Sequence, residues 1–272
     1  MRIAVVAPSS RFSEAAASRV VEIAARHFTK VELYFHPQCF LTHNHFAGTD
    51  AERVAALVEV ANDPGFGAVW IARGGYGAGR VVEDALAAFG PAARRKAWLG
   101  YSDAGYLLAG LYKAGFPEVA HGPMAQDVVR EDGDGAIARA LGWLANRDAD
   151  AVEPHLALGD AHAAFNLTVF SQLLGTALEP DLSDHVLLLE EVSEQMYRID
   201  RSFGHVTGQA SVRRVAGLRL GRVSEVLPND PDFSEDEVRV AKHWCDRAGI
   251  AFLGRADIGH DSANKVVPFG RF

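Results

Sequence analysis

The chain has 272 residues, of which 49% are hydrophobic, so it can bury one large core or two of ordinary size. Its 27 lysines and arginines against 35 acidic residues give a net charge of −8 without a dense basic run, which excludes nucleic acid and anionic membrane surfaces as expected partners. The two cysteines, Cys39 and Cys245, give no disulfide framework. The short apolar start is typical of a first strand, not a signal peptide, and no run could span a bilayer, so we expect a soluble cytoplasmic protein.

The first half of the chain alternates short apolar runs with helical patterns. Strands are predicted at residues 3–7, 31–35, 68–72, 97–99 and 119–121, and helices at 15–27, 51–61, 79–89 and 107–113, the second of them capped by Asp50. This alternation predicts an α/β fold in which a parallel sheet carries helices on both faces, as in Rossmann or flavodoxin-like folds.

The irregular stretch after the second strand contains His36, Cys39, His43 and His45. Imidazole and thiolate groups are zinc ligands, but these spacings match no common zinc pattern. Polar loops also collect histidines. We therefore expect a surface loop here and no metal.

A glycine-rich turn, residues 73–80, follows the third strand and opens a helix. A dinucleotide-binding loop looks similar, but it normally follows the first strand and needs an acid about 20 residues later to hold the ribose. Neither condition is met. Two interpretations remain: a tight turn packed against a neighbouring strand end, or a set of N–H groups that forms half of an oxyanion hole.

Ser102 lies where the fourth predicted strand turns sharply into a helix. That turn places the side chain at the carboxyl edge of the sheet, where open α/β sheets bind their ligands. The hydroxyl could be a nucleophile whose oxyanion is stabilised by the N–H of Asp103, or it could simply cap the helix. The Gly-x-Ser-x-Gly elbow of the α/β-hydrolases is absent, because position 104 is alanine.

The second half of the chain is separated from the first by a polar stretch. Residues 146–156 predict a linker between an N-terminal domain, 1–145, and a C-terminal domain, 157–272. Within the latter, helices are predicted at 170–174, 203–206 and 235–247, and strands at 186–189, 215–223 and 251–253. This pattern favours a smaller, mixed α+β domain.

Two features of the second half carry chemistry. A strongly apolar strand runs into Glu190 and Glu191, and neighbouring strand residues point to opposite faces, so only one of them can face a given site. His260 lies in a loop after Gly259. With Ser102 these residues supply a nucleophile, an acid and a base, in the chain order of the α/β-hydrolases. Each residue by itself is also typical of a solvated loop.

The chain resembles the LD-carboxypeptidases, a serine peptidase family that includes the microcin-immunity peptidases. The resemblance covers nearly the whole chain and rests on short motifs in the family order: Ala7-Pro8-Ser9-Ser10, Gly74-Gly75-Tyr76-Gly77, Gly100-Tyr101-Ser102-Asp103, Leu189-Glu190-Glu191-Val192 with Tyr197 and Asp200-Arg201, and Gly259-His260 with Pro268 and Gly270.

The resemblance implies a Ser–His–Glu triad of Ser102, His260 and Glu190, the first acid of the family's pair. It places an oxyanion hole on the backbone N–H groups of Asp103 and of the Gly74–Gly75 turn. It further implies removal of the terminal D-alanine from the cytoplasmic murein tetrapeptide in cell-wall recycling, with no metal or other cofactor, by a homodimer.

The binding of the substrate is less specified. A carboxypeptidase must hold a terminal carboxylate, for which an arginine fork is suited. Arg80 beside the glycine turn is the candidate, with Tyr76 and Glu191 as further contacts, although its position favours a helix-surface role slightly more.

Two departures from the family pattern bear on substrate. Ala164-Phe165 stands where the family has two glycines, so we expect Phe165 to narrow the pocket if that turn lines it. Family members usually continue beyond the position of Phe272, so a last strand or part of a dimer contact is expected to be missing.

Three other functions remain open. A peptidase that cleaves a peptide–nucleotide amide would use the same triad and add an aromatic platform for the base. A non-catalytic ligand-binding protein would have a cleft without Ser–His contact. A nucleotide-binding oxidoreductase would bind NAD at the glycine-rich turn.

Overall fold

Two sheets organise the chain in a computed structural model that describes residues 1–271. The strands of the first sheet are β1 (Arg2–Val6), β2 (Glu32–Phe35), β3 (Ala68–Ile71), β4 (Ala97–Gly100), β5 (Val119–His121) and β10 (Val267–Pro268). Their order is β10-β5-β4-β3-β1-β2, and β1 to β5 are parallel while β10 is antiparallel.

The second sheet is also mostly parallel. Its strands are β6 (Ala161–Asn166), β7 (His185–Val192), β8 (Gly217–Ser224), β9 (Phe252–Arg255) and β11 (Gly270–Arg271). The order is β11-β6-β7-β8-β9, and only the short β11 runs antiparallel to its neighbour.

Eight α-helices occur between the strands within residues 1–271. They are α1 (Glu14–His27), α2 (Asp50–Asn62), α3 (Val82–Ala87), α4 (Gly105–Lys113), α5 (Gly133–Asn146), α6 (Leu167–Leu173), α7 (Met196–Gly208) and α8 (Glu237–Ala248). None of the helices in this range is long and apolar enough to cross a membrane.

The first sheet is covered on both faces, which is why its strands are apolar without alternation. Along β3, Val69 and Ile71 belong to one hydrophobic core, whereas Ala68 and Trp70 belong to a second core on the opposite face. All four side chains are buried. The predicted α/β architecture, with helices on both sides of a parallel sheet, is confirmed.

The start of α2 differs from the predicted cap. Thr49, not Asp50, is the N-cap: its hydroxyl accepts from the Glu52 N–H, and the Glu52 carboxylate accepts from the Thr49 N–H at 2.8 Å. This reciprocal pair satisfies two of the N–H groups that a helix start leaves free, so Thr49 is the better cap. The Asp50 carboxylate instead accepts two hydrogen bonds from Arg80.

The irregular stretch before α2 packs through its own polar contacts. The Cys39 thiol is buried and lies 3.3 Å from the Val5 carbonyl, and His36 Nδ1 accepts from the Gln38 N–H at 3.1 Å. His45 Nε2 lies 3.5 Å from Ser10 Oγ. Across residues 1–271, no group of three or more His, Cys, Asp or Glu side chains is arranged to hold a metal ion.

The C-terminal end of the chain connects the two sheets. After β9 it returns to pair β10 with β5, and two residues later β11 pairs with β6. Val266, just before β10, forms a bridge with Val152 in the predicted linker. The loop between β9 and β10 is thereby held against the end of β5. The domain boundaries at 145 and 157 stay a prediction.

We expect Leu187→Ala to lower the free energy of unfolding by about 2–5 kcal/mol, because Leu187 is fully buried on the central strand β7 and its removal leaves a cavity. Leu158→Ala is the matched control, since Leu158 is 86% exposed and its truncation should cost within about 0.5 kcal/mol. Urea denaturation measures both variants. Equal losses in the two would contradict the packing described here.

Candidate active site

Ser102 occupies a strained backbone position at the end of β4. The buried strand ends at Gly100, Tyr101 is extended, and Ser102, with a φ of +58°, is the first residue of a short 3₁₀ turn that leads into α4. A non-glycine residue seldom adopts this left-handed conformation, and such strain concentrates at functional sites. Its hydroxyl caps neither the 3₁₀ turn nor α4. The helix-cap interpretation of Ser102 is therefore not supported.

The glycine-rich turn lies directly against Ser102. A Cβ built on Gly74 would be 2.9 Å from both Cβ and Oγ of Ser102, closer than real side chains allow. Gly75 has a φ of +101°, and a Cβ there would collide with Ser10. Glycine is thus required at both positions for this approach of backbone to hydroxyl. Within residues 1–271, the N–H groups of Gly74, Gly75 and Asp103 donate to no protein acceptor.

Asp103 fixes the distance between the serine turn and the glycine-rich turn. Its buried carboxylate accepts from the Ser9 hydroxyl at 2.5 Å and from the Ala78 N–H at 2.8 Å. Burial raises the pKa of Asp103, against the opposing effect of these hydrogen bonds. One side chain therefore joins the loop after β1, the turn after β3 and the turn after β4.

The two carboxylates at the end of β7 point in opposite directions, as strand alternation requires. Glu190 is fully buried and its Oε2 faces His260. Glu191 accepts hydrogen bonds from Asn166 Nδ2, from the Thr168 N–H and hydroxyl, and from the Val192 N–H, at 2.6–2.9 Å. Glu191 thus stabilises the first turn of α6 and does not reach the serine.

A continuous hydrogen-bond chain links the three residues of the predicted triad. His260 Nδ1–H donates to Glu190 Oε2 at 2.5 Å, and Ser102 Oγ–H donates to His260 Nε2 at 3.0 Å. The carboxylate can only accept, so it fixes the tautomer in which Nε2 is free to take a proton. The Tyr101 ring packs on the imidazole, with 4.8 Å between centroids.

The electrostatic surroundings of His260 favour its protonated form. Burial lowers the pKa of the imidazole, but the charge and hydrogen bond of Glu190 raise it, and the pKa lies above its ordinary value of 6.5. An imidazole with a raised pKa is a stronger base once it is neutral.

The loop that carries His260 is held by two buried polar residues. Asn264 Oδ1 accepts from the Gly259 N–H and from His121 Nε2, both at 3.1 Å. Burial lowers the pKa of His121 to about 4, so this imidazole is neutral near pH 7. His121 is the last residue of β5, and it therefore connects the base to the sheet that carries the nucleophile.

Arg222 supports the same loop from the second sheet. It forms two hydrogen bonds with Asp261, at 2.5 and 2.9 Å, and a third with Asp257 at 2.5 Å. The residues on both sides of His260 are thus anchored to β8, which leaves the imidazole little freedom to move.

A cleft of about 330 Å³ opens over the serine. Its lining consists of Arg73, Gly74, Gly75, Tyr101, Ser102, Met124, Gln126, Asp127, Val129, Arg130 and His260. The triad, the glycine turn and two guanidinium groups therefore share one cavity of the size that binds small ligands.

Three residues singled out in the sequence lie elsewhere. Both Nε and Nη2 of Arg80 donate to Asp50 Oδ2, at 3.0 and 2.7 Å. Tyr76 is 57% exposed beside the glycine turn but does not line the cleft. Phe165 is buried and stacks on Phe170, so it belongs to the core and does not narrow the pocket as expected.

The sequence did not point to Asp127 and Arg130 in the cleft. An acid and an arginine three residues apart are typical of an ordinary surface pair. The structure instead buries Asp127 almost completely and bonds it to Arg130 Nε at 2.8 Å. The signal available in the sequence is weak: an acid and an arginine six and nine residues after His121, the last residue of β5.

Curated relatives are carboxypeptidases by name. A Synechocystis protein that carries a provisional carboxypeptidase name is 33% identical over 239 residues, which cover 84% of this chain and 77% of that protein. The murein tetrapeptide carboxypeptidase of Pseudomonas aeruginosa is 25% identical over 288 residues, covering 99% of this chain and 91% of that protein.

Solved structures share the whole fold. A muramoyltetrapeptide carboxypeptidase from Oxalobacter formigenes has a TM-score of 0.80 at 22% identity, covering 99% of this chain and 93% of its own. The microcin C7 self-immunity protein MccF, in complex with aspartyl sulfamoyl adenosine, has a TM-score of 0.80 at 18% identity, covering 99% and 91%.

Family models match most of the sequence. Residues 3–122 match the LD-carboxypeptidase N-terminal domain and residues 163–272 match the LD-carboxypeptidase C-terminal domain. The chain belongs to the LD-carboxypeptidase family of serine peptidases.

Proposed function

We propose that the protein is a cytoplasmic LD-carboxypeptidase that removes the terminal D-alanine of the murein tetrapeptide in cell-wall recycling, by way of an acyl-enzyme on Ser102. The observation that carries the proposal is the hydrogen-bond chain from Ser102 through His260 to Glu190. The names of the curated relatives support the substrate class. Association as a homodimer stays a prediction.

The first half-reaction begins at the strained serine. His260 Nε2 takes the hydroxyl proton as Oγ attacks the scissile carbonyl carbon, and Glu190 stabilises the imidazolium that results. The oxyanion forms beside the backbone N–H groups of Asp103 and of the Gly74–Gly75 turn, which have no protein acceptor in residues 1–271. One such donor typically contributes about 3 kcal/mol to the stability of the transition state.

Collapse of the tetrahedral intermediate releases the terminal residue. The imidazolium gives its proton to the leaving amine, and the acyl group stays on Ser102 as an ester. Water then enters, loses a proton to His260 Nε2, and attacks the ester carbonyl. The carboxylate product leaves as Ser102 regains its hydroxyl proton, so the residues return to their starting protonation states.

A second candidate is cleavage of a peptide–nucleotide amide by the same triad. The supporting observation is an exposed aromatic group beside the glycine turn: Tyr76 packs near His45 and Phe46, with ring centroids about 6 Å apart. A planar base could stack on such a group. The fold shared with MccF is compatible with this substrate but does not select it.

The two remaining alternatives are less well supported. A ligand-binding protein needs no Ser–His contact, yet the two side chains are hydrogen-bonded. Binding of NAD at the glycine-rich turn is less well supported because this turn follows the third strand and packs against Ser102, which is hydrogen-bonded to His260.

Incubation of the purified protein with the murein tetrapeptide should release one alanine, detected by mass spectrometry. Ser102→Ala should lower the rate by at least about 10³-fold, because the nucleophile is lost. Ser171→Ala is the matched control: Ser171 also bonds a histidine, His205, at 2.9 Å, but lies outside the cleft. Its activity should stay near that of the wild type.

The outcomes of that assay separate the candidates. An intact tetrapeptide together with cleavage of a peptide–adenylate conjugate would favour the second function. Release of alanine by Ser102→Ala at the wild-type rate, with contaminating peptidases excluded, would contradict the proposed nucleophile.

The pH dependence of kcat/KM should report the pKa of the general base, His260. Since the reaction needs a neutral His260, kcat/KM should fall as the pH drops through the pKa of His260, with a midpoint above 6.5. Glu190→Gln removes the charge that raises this pKa, so the midpoint should move to lower pH while the rate falls by about 10³–10⁴-fold. Glu191→Gln should leave the midpoint in place. A midpoint that Glu190→Gln does not move would contradict the assignment of the acid.

Gly74→Ala should lower kcat by about 10²-fold, because the added methyl group would force Ser102 or the glycine turn to shift. Thermal denaturation should show a folded protein. Gly135→Ala is the control: nothing lies within 4 Å of a Cβ there, and alanine suits the first turn of α5, so activity should persist. Full activity of Gly74→Ala would argue against an oxyanion hole at this turn.

A further inference from the structure

Arg130 presents an unused hydrogen-bonding edge to the cleft. Its Nε donates to Asp127 Oδ1 at 2.8 Å, and its Nη2 lies 3.5 Å from the Tyr101 hydroxyl. Its Nη1 donates to no acceptor within residues 1–271. The side chain is about one-third exposed and lines the cavity over the serine. One edge of the guanidinium is therefore fixed by the protein, while the edge that carries Nη1 is free for a ligand.

The fixed edge is held rigidly. Asp127 is buried, and it also accepts from the Tyr101 hydroxyl and the Met124 N–H, both at 2.8 Å. Tyr101 immediately precedes Ser102 and packs on His260. An arginine in this position loses little conformational entropy when it binds a ligand.

The position of Arg130 matches the side on which the leaving group departs. The leaving amine must lie next to His260, which protonates it. In an α-amino acid the carboxyl carbon lies only about 2.5 Å from that nitrogen, two bonds away. Arg130 Nη2 lies 3.5 Å from the hydroxyl of Tyr101, whose ring packs on the imidazole, and both Arg130 and His260 line the cleft.

Two other arginines fit this role less well. Arg80 is bound to Asp50 through both Nε and Nη2 and does not line the cleft. Arg73 does line it, but it belongs to the glycine turn on the oxyanion side, and its Nη1 donates to the Arg11 carbonyl at 3.1 Å.

We propose that Arg130 binds the α-carboxylate of the residue that leaves, and so restricts the enzyme to the last peptide bond of its substrate. This inference rests on the proposed carboxypeptidase function. The bond would be charge-assisted and made through the Nη1 edge, with Asp127 and Tyr101 as positioning residues. A peptide without a free carboxylate at this place leaves the guanidinium edge unpaired.

The test compares two substrates that differ only in that charge: the murein tetrapeptide ending in D-alanine and the same peptide ending in D-alaninamide. Wild-type kcat/KM should be at least about 30-fold higher for the peptide acid than for the amide. This factor corresponds to the free energy of one hydrogen bond between charged groups. Arg130→Gln should lower kcat/KM for the acid by about that factor and leave the amide within about threefold. Arg130→Lys, which keeps the charge without the fork, should give an intermediate preference.

Arg73→Gln is the matched control and should keep the wild-type preference for the acid. A preference that survives in Arg130→Gln, or that disappears in Arg73→Gln instead, would overturn the assignment of Arg130 while leaving the proposed function intact. A wild-type protein that cleaves neither peptide would overturn both proposals. Because Arg130→Lys preserves the cation beside Asp127, it keeps the test valid if Arg130→Gln fails to fold.

Discussion

The hydrogen bond between His260 and Glu190 is the interaction on which the candidate site depends. It joins a loop to the end of a central strand, in a place from which water is largely excluded, and its Nδ1–Oε2 distance is 2.5 Å. A fully buried carboxylate is costly to hold unless it is paired. The imidazole of His260 pairs with one carboxylate oxygen, Oε2, and the same contact turns the free nitrogen of the ring toward Ser102.

The contact between His260 and Ser102 requires that the two sheets keep a fixed position relative to each other. Ser102 follows a strand of the first sheet, whereas Glu190 lies on the second. Two short C-terminal strands hold the sheets together: β10 pairs with β5 of the first sheet, and β11 pairs with β6 of the second. His121 and Asn264 add a polar contact at the same crossing. Displacement of the C-terminal strands should therefore move the His260 loop and weaken the hydrogen bond between His260 and Ser102.

Sequence patterns predicted the parts of the structure that rest on local signals. Apolar runs and glycine turns predicted β1 to β5, and strand alternation predicted that only one of two adjacent glutamates could face the histidine. Choosing Glu190 needed either a resemblance to known enzymes or the structure. The contact between Ser102 and His260 could not be predicted from local sequence patterns, because the two residues are 158 positions apart in the chain.

The elements that were missed have weak local signals and strong tertiary support. The strand β6 contains three alanines and only one strong strand former, Phe165, yet it is buried throughout between β7 and β11. Helix α5 contains three glycines, which lower helix propensity, and it forms because Ile137 and Leu141 pack into the core. Arg130 was missed for a related reason: its partner Asp127 is close in sequence, but the cleft it faces is assembled from distant segments.

The central claim is that the chain of Ser102, His260 and Glu190 makes this one hydroxyl nucleophilic. Treatment with a small fluorophosphonate, followed by peptide mass spectrometry, tests it without assuming a substrate. The account predicts that the phosphonyl group is found on Ser102, and that the rate of labelling falls by at least about 10²-fold in His260→Gln, which cannot accept the proton. Labelling of other serines with Ser102 unmodified, or an equal rate in His260→Gln, would contradict it.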